Sequence, residues 1–384
     1  MGDLERTVGL LDKLIGFPTV SADSNLGMIE FLAEMLENAS ARVQVFHDET
    51  GAKANLFATI GPDRDGGIVL AGHTDVVPVE GQQWHTNPFR MHENGGRLYG
   101  RGACDMKGFI AAAVAMAPYY SRYAKRRPVH FAFTYDEEIG CFGAQALVRS
   151  LEAAGVRPGV AIIGEPTSMQ VIDGHKGCYE YTTRFVGLEG HGSLPEAGVN
   201  AVEYAARYVG ELVEIKQLLR ERAVQGSRFD PPWTTVSTGR FNGGIARNVI
   251  PGSAEVEWEM RPVCDEDSEF VKSRLDHLCR QVLLPQMRAV SPKAEIVLEV
   301  VSEIEGLEPA QENEARAILA ELTGSDETDL VSFGTEAGIY QSMGMNVAVC
   351  GPGSIEQAHK PDEYVSVGQI DDCLGMLRNL TVKL

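Results

Sequence analysis

The sequence predicts an α/β fold with a central mixed sheet, into which a smaller α+β unit is inserted. Strand candidates and helices alternate up to residue 163, which is typical of a largely parallel sheet covered by helices. Near Gly177 the pattern changes to strand, helix, two strands, helix and strand, and the α/β pattern resumes at about residue 304. With 384 residues, 44% of them hydrophobic, the chain is long enough for two domains.

The first part of the chain begins with two packing helices. Apolar residues recur at helical spacing from Leu4 to Ile15, and Asp23 or Ser24 can cap a second helix that carries Met28 to Leu36 on one face. Strands are predicted over residues 43–46, 55–60, 68–71, 129–135 and 160–163, and helices over residues 109–117 and 143–151. The last part has a predicted helix over 314–322, strands over 330–333 and 347–350, and a helix from about Gly368 capped by Ser366.

The pattern of the inserted segment predicts a separate folding unit. Strands are predicted over residues 179–186, 234–241, 254–260 and 294–301, and helices over residues 201–219 and 270–284. This order is that of a ferredoxin-like unit. We therefore expect one domain formed by residues 1–176 and 304–384, and an inserted domain over residues 177–303.

Composition excludes several classes of function. The formal charge of -20, from 34 basic and 54 acidic side chains, argues against nucleic acid or an anionic membrane as a partner. Seven cysteines without a CxxC pair indicate a reducing compartment with buried thiols. The amino terminus has no apolar signal-like region, and no stretch is long enough to span a bilayer, so we expect a soluble cytoplasmic protein.

Two histidines and five carboxylates follow or end predicted strands or precede a predicted helix. His73 and Asp75 lie at the end of the strand over 68–71, where residues two apart share one face. Asp105 precedes a helix in a glycine-rich loop that matches no phosphate-binding motif. The other positions are the adjacent acids Glu137 and Glu138, Glu165 after the strand over 160–163, and His359 after a late strand and glycine turn.

These positions predict a metal centre, because the ends of parallel strands meet at one edge of a sheet. Each residue alone is better explained as a capped strand end or a solvated acid. Together, two imidazoles and three carboxylates suit two divalent ions that share one carboxylate, with zinc favoured and cobalt or manganese also possible. Paired ions lower the pKa of a shared water, which makes hydrolysis of an amide accessible.

Several motifs then resemble one known family. They are GHTDVVP at 72–78, GRGACDMKG at 100–108, YDEEIG at 135–140, GEPT at 164–167, GHGSLPEAGVNA at 190–201, GGIARNVIPGSAEVEWEMRP at 243–262 and EQAHKPDEYV at 356–365. In this order they resemble the M20 family of metallopeptidases and deacylases over nearly the whole chain. Within that family, GEPTSMQ, GHKG and FGTEAGIYQ are most similar to the acetylornithine deacetylase branch.

The resemblance implies a zinc-hydrolase catalytic domain with two Zn2+ per subunit. His73 and Glu165 would bind one ion, Glu138 and His359 the other, and Asp105 would bridge them. The inserted domain would serve as a lid and as the dimerisation surface of a homodimer.

The resemblance also implies catalytic and substrate-binding roles. Asp75 would orient His73, and Glu137 would be the general base, with a pKa above that of a free glutamate. His191 would stabilise the oxyanion in the active site of the partner subunit. Arg261 would pair with the substrate α-carboxylate, and Asn248 would help to hold the substrate.

The expected function is removal of acetate from N2-acetyl-L-ornithine, which supplies ornithine for arginine synthesis. Glu336 is a candidate partner for the cationic side chain of that small-molecule substrate, although an acid after a strand is more often solvated. The alternatives are another N-acyl amino acid deacylase, such as a succinyl-diaminopimelate desuccinylase, an acetylcitrulline deacetylase or a general aminoacylase, and an inactive dimeric binding protein. We assign no function to Trp84 or His175.

Overall fold

The computed structural model describes residues 2–331 and 333–384, which form two compact units. The first unit runs from the amino terminus to Gly174 and includes Pro309–Val331 and Thr335–Leu384. The second comprises His175–Glu308 and a short segment that ends at Gly334. Each unit has its own hydrophobic core. In the described part of the chain, no helix is both long and apolar enough to cross a membrane.

All strands and helices predicted before residue 164 are present, with ends that differ by a few residues. The observed elements are α1 (Asp3–Ile15), α2 (Leu26–Asn38), β1 (Arg42–His47), β2 (Ala54–Ile60), β3 (Ile68–His73), β4 (His92–Asn94), β5 (Arg97–Tyr99), α3 (Lys107–Tyr123), β6 (Val129–Thr134), α4 (Phe142–Ala153), β7 (Val160–Ile163) and β8 (Val171–His175). The N-cap position of α2 is Asn25, one residue after the predicted Ser24, and the Asn25 amide donates to the Ala54 carbonyl (2.9 Å). The hydroxyl of Ser24 nevertheless accepts a hydrogen bond from the backbone N–H of Leu26 (3.3 Å), the first residue of the helix. Strands β4, β5 and β8 lack a clear apolar pattern and were not predicted.

The second unit contains the predicted order of strands and helices. Its elements are β9 (Cys178–Val186), β10 (Gly190–His191), α5 (Ala201–Glu221), β11 (Thr235–Gly243), β12 (Val249–Ile250), β13 (Ser253–Arg261), α6 (Asp265–His277), α7 (Leu284–Val290) and β14 (Glu295–Ile304). The four long strands form an antiparallel sheet in the order β11-β13-β9-β14, which is the ferredoxin-like order. The predicted helix over 270–284 begins earlier, at Asp265, because three acidic residues favour the positive end of the helix dipole.

The remaining elements return the chain to the first unit. They are α8 (Glu314–Thr323), β15 (Thr328–Val331), α9 (Ala337–Ser342), β16 (Asn346–Val349), β17 (Tyr364–Ser366) and α10 (Val367–Asn379). As predicted, Ser366 caps the last helix, and its hydroxyl accepts a hydrogen bond from the backbone N–H of Gln369 (3.1 Å). The predicted strand over 330–333 overlaps β15 and includes Ser332, which lies outside the described residues.

The main sheet of the first unit has eight strands in the order β1-β2-β6-β3-β7-β16-β8-β15. Strand β3 pairs in parallel with β6 and β7, and β7 pairs in parallel with β16. The β1–β2, β2–β6 and β16–β8 pairs are antiparallel, so the sheet is mixed. The parallel strands at its centre end at one edge, and the loops that follow them therefore lie side by side.

Helix α3 covers the centre of this sheet. Its residues from Lys107 to Ala117 are all buried, which explains why the segment is apolar on every side and shows little amphipathic pattern. Gly164, which directly follows β7, allows this close packing, because a Cβ atom there would lie 1.9 Å from the ring of Phe109. The helix thereby holds the loop before it against the strand ends.

Candidate metal centre

The five predicted ligands converge at the edge where the central strands end. His73 is the last residue of β3, and Asp105 lies two residues before α3. Glu138 and Glu165 follow β6 and β7, and His359 lies in the loop between β16 and β17. Ligand atoms of these side chains form two groups in which all atoms lie within 4.8 Å of one another, and Asp105 belongs to both groups.

The first group consists of His73, Asp105 and Glu165, and all three side chains are buried. Nε2 of His73 lies 3.0 Å from Oδ1 of Asp105 and 3.7 Å from Oε1 of Glu165. Glu165 Oε1 is fully buried and has no hydrogen-bond partner among the described residues. A buried carboxylate oxygen without a partner is costly, so this atom fits a ligand position for a cation.

The second group consists of Asp105, Glu138 and His359. Nε2 of His359 lies 2.9 Å from Oε2 of Glu138 and 3.3 Å from Oδ2 of Asp105. Asp105 thus turns one oxygen toward each histidine, which is the geometry that a bridging carboxylate needs. The His359 side chain is 53% exposed, and this residue adopts a left-handed backbone conformation with φ of 61°.

Asp75 contributes to the site in two ways. Its backbone carbonyl accepts a hydrogen bond from Nδ1 of His73 (2.9 Å), while its carboxylate lies 3.6 Å from the same nitrogen. Because a carbonyl can only accept, Nδ1 carries a proton, and Nε2 is the ring nitrogen that faces Asp105 and Glu165. The carboxylate of Asp75 accepts hydrogen bonds from the backbone N–H groups of Glu137 (3.1 Å) and Glu138 (3.3 Å), which sequence reasoning did not predict.

Burial and mutual repulsion strongly perturb the acids of the centre. Burial, followed by the negative charge of Asp105, raises the pKa of Glu138 to about 7 and that of Glu165 well above its usual range. Burial alone would also raise the pKa of Asp105, but hydrogen bonds with His359 and His73 lower it. Hydrogen bonds with Asp105 and Glu138 raise the pKa of His359 to about 10. Excess negative charge in a buried space is what divalent cations neutralise, so the donor set fits the predicted metal centre.

Glu137 lies next to the centre but belongs to neither group of ligand atoms. Burial raises its pKa well above the usual value, and repulsion from Glu138 and Asp105 adds to this effect. The thiol of Cys141 lies 3.7 Å from Oε1 of Glu137. The Glu137 side chain therefore lies beside the two groups without contributing a ligand atom to either, and its role as general base stays a prediction.

Glu336 is the N-cap residue of α9 and is only 1% exposed. Its Oε1 accepts a hydrogen bond from the Thr134 hydroxyl at the end of β6, and its Oε2 has no partner among the described residues. Burial raises its pKa to about 7. The predicted contact between this carboxylate and a substrate cation remains a prediction.

Three predicted residues belong to the second unit. His191 is exposed, and its Nδ1 accepts a hydrogen bond from the backbone N–H of Ser193 (3.2 Å), so Nε2 carries the proton and can donate it. The carbonyl of Asn248 accepts a hydrogen bond from the N–H of Gly192 (2.8 Å), which places Asn248 beside His191. Arg261 ends β13 and forms an ion pair with Glu259 (2.8 Å).

Comparisons with known proteins agree with these features. The model of peptidase family M20/M25/M40 matches residues 69–383. Acetylornithine deacetylases of Myxococcus xanthus and Proteus mirabilis are 36% and 34% identical to the chain, with alignments that cover 96% of it and 94% of each relative. The solved YXEP protein of Bacillus subtilis, described as a dinuclear metal binding peptidase from the M20 family, has a TM-score of 0.66 and 16% identity, and the match covers 99% of this chain and 98% of that one.

Proposed function

The chain belongs to peptidase family M20/M25/M40, and from this membership we propose that it removes the acetyl group from N2-acetyl-L-ornithine and releases L-ornithine. The family and the curated relatives indicate a hydrolase that acts on amide bonds, and the relatives support deacylation of N-acyl amino acids. The observation that carries the narrower proposal is identity of 34% and 36% to acetylornithine deacetylases over almost their entire length. In this role the protein would supply ornithine for arginine synthesis.

The proposed cofactor is a pair of zinc ions, for which cobalt or manganese could substitute. Three observations support it: the donor set of two imidazoles and three carboxylates, the unpartnered oxygen of Glu165, and the two-sided position of Asp105. The similar Bacillus protein is described as binding a dinuclear metal centre. When bound, such ions lower the pKa of a shared water and polarise the amide carbonyl.

In this proposal Glu137 moves the proton. It takes a proton from the attacking water and delivers it to the nitrogen of the leaving amine, and for both tasks a carboxyl with a raised pKa is suited. Its backbone N–H donates a hydrogen bond to the carboxylate of Asp75, which fixes the backbone position from which the side chain extends. Asp75 also aims His73 through its carbonyl oxygen.

The second unit would provide the groups that recognise the rest of the substrate. In a homodimer, the Nε2–H of His191 would donate to the developing oxyanion in the partner subunit, a role supported by its exposure and its tautomer. Arg261 would bind the α-carboxylate with its planar guanidinium, and Asn248 would assist from the segment beside His191. Glu336 would compensate the charge of the ornithine side chain.

A hydrolysis panel tests the substrate assignment. Purified protein loaded with zinc is incubated separately with acetylornithine, acetylcitrulline, acetylmethionine and succinyl-diaminopimelate, and free amine is measured over time. We expect the highest kcat/KM with acetylornithine. A higher kcat/KM with any of the other three would replace the proposed substrate, and no hydrolysis in the whole panel would refute the deacylase assignment.

A further inference from the structure

Three side chains that the proposed chemistry does not use bind one another and the two loops that carry Asp105 and His359, and together we call them a clasp. They are Gln82, Arg101 and Glu363, and we use the word clasp for these three residues only. The Arg101 and Glu363 side chains are each 1% exposed and form an ion pair with 2.7 Å between Nη1 and Oε2. Gln82 joins them because its Oε1 accepts a hydrogen bond from Nη2 of Arg101 (2.6 Å).

Glu363 holds the loop that carries Asp105. One carboxylate oxygen accepts hydrogen bonds from the backbone N–H groups of Cys104 (2.8 Å) and Asp105 (3.0 Å). The other accepts from the backbone N–H of Gly102 (3.0 Å) in addition to Arg101. A carboxylate that accepts three backbone hydrogen bonds fixes the path of the chain through this loop. It thereby fixes the position of the Asp105 Cα atom, from which the side chain extends.

Gln82 and Arg101 hold the loop that carries His359. The amide of Gln82 donates to the backbone carbonyl of His359 (2.9 Å), and Nη1 of Arg101 donates to the carbonyl of Lys360 (3.3 Å). The indole of Trp84 donates to Oε1 of Gln82 (3.1 Å), and its ring lies 5.0 Å from the Arg101 guanidinium. These contacts restrain a ligand whose own side chain is more than half exposed and whose backbone is left-handed.

The clasp therefore restrains the ligands of the two metal positions unequally. Glu363 acts on Asp105, which belongs to both groups of ligand atoms, whereas Gln82 acts on His359, which belongs to one. We propose that Gln82, Arg101 and Glu363 are positioning residues that set the affinity of the two metal positions separately, Gln82 through His359 and Glu363 through Asp105. This inference rests on the proposed dinuclear function.

Stepwise metal binding tests the clasp. Apoprotein prepared with a chelator is titrated with Zn2+ in competition with a chromophoric chelator, for the wild type, Gln82→Met and Glu363→Gln. Replacing groups that orient metal ligands typically weakens binding by roughly 10- to 100-fold. We expect Gln82→Met to weaken one ion by that factor and leave the other unchanged, and Glu363→Gln to weaken both. The matched control is Gln83→Met, the same substitution at the exposed neighbouring residue, which should bind both ions like the wild type.

The outcomes separate the clasp from the proposed function. A wild type that binds fewer than two ions would refute the dinuclear proposal and the clasp with it. A wild type that binds two ions, together with a Gln82→Met variant that binds both with normal affinity or loses both equally, would overturn the clasp alone. If Glu363→Gln does not fold because Arg101 is left buried without its partner, the half-buried Gln82 still decides the question.

Discussion

The most discriminating substitution at the centre is Asp75→Asn, which keeps the size of the side chain and removes its charge. In the wild type, Oδ1 accepts from the N–H of Glu137, and Oδ2 accepts from the N–H of Glu138 and from the Ser21 hydroxyl. An asparagine has only one oxygen, so its NH2 group must face one of the two backbone N–H groups. The substitution therefore removes the acceptor of one backbone donor, whichever way the amide points.

The size of the effect follows from this lost acceptor. Asp75 is 2% exposed, so water cannot readily take its place. A donor left without a partner in such a place costs about 1–3 kcal/mol. If this cost is the free energy needed to hold the turn at Glu137 and Glu138 in its active geometry, kcat/KM falls by roughly 5- to 160-fold, at 1.36 kcal/mol per tenfold. The backbone carbonyl of residue 75 remains, so the orientation of His73 should persist.

Deacylation kinetics and zinc content of Asp75→Asn test this reasoning, with Ser21→Ala as the comparison. Loss of the Ser21 hydroxyl removes one hydrogen bond to the carboxylate but leaves both backbone donors bonded, so stability should fall while kcat/KM stays near that of the wild type. If Asp75→Asn retains wild-type kcat/KM, or if Ser21→Ala loses as much activity as Asp75→Asn, the carboxylate does not act by holding the turn.

Three further predictions concern the base, the dimer and the pH dependence of stability. Glu137→Gln should retain bound metal and lose about 10²- to 10⁴-fold in kcat, the usual contribution of a general base; near-normal turnover would remove the assignment. If His191 acts in the partner subunit, mixing His191→Ala with Glu137→Ala should restore activity, and its absence after verified subunit exchange would exclude that arrangement. Burial lowers the pKa of His130 to about 4, below the ordinary 6.5, so the unfolded chain binds the proton first and the free energy of unfolding should fall by about 2 kcal/mol from pH 7 to pH 5. Denaturant unfolding of His130→Asn should show a smaller fall, and an equal one would contradict the assignment.

The ligand positions could be predicted from sequence because strands have a simple geometry. A buried strand is recognised in the sequence as a run of apolar residues. Polar residues that follow several parallel strands must therefore lie together at one edge of the sheet. His73, Glu138 and Glu165 satisfy this rule directly. The order of elements in the second unit was predictable for a similar reason, since alternation and helical spacing differ clearly there.

The supporting contacts could not be predicted, because they join residues far apart in the sequence. Gln82 and His359 are separated by 277 positions, and Arg101 and Glu363 by 262. An arginine and a glutamate in polar loops read as solvated side chains unless the pairing of the loops is known. The signal in the sequence was that Arg101 and Glu363 lie in two of the motifs that resemble the family, GRGACDMKG and EQAHKPDEYV, the second of which also contains His359.

Charge balance supports the proposed pair of ions. The two groups of ligand atoms contain three carboxylates, those of Asp105, Glu138 and Glu165, and Glu137 lies directly beside them. Four buried negative charges repel one another, and burial together with this repulsion raises the pKa values of all of them except Asp105, which both histidines stabilise. In the proposed dinuclear centre, two divalent ions would bring four positive charges to these carboxylates, whereas one ion would bring only two. In the proposed mechanism, positive charge in the metal positions would favour the ionised form of Glu137, which is the form that can accept a proton from water.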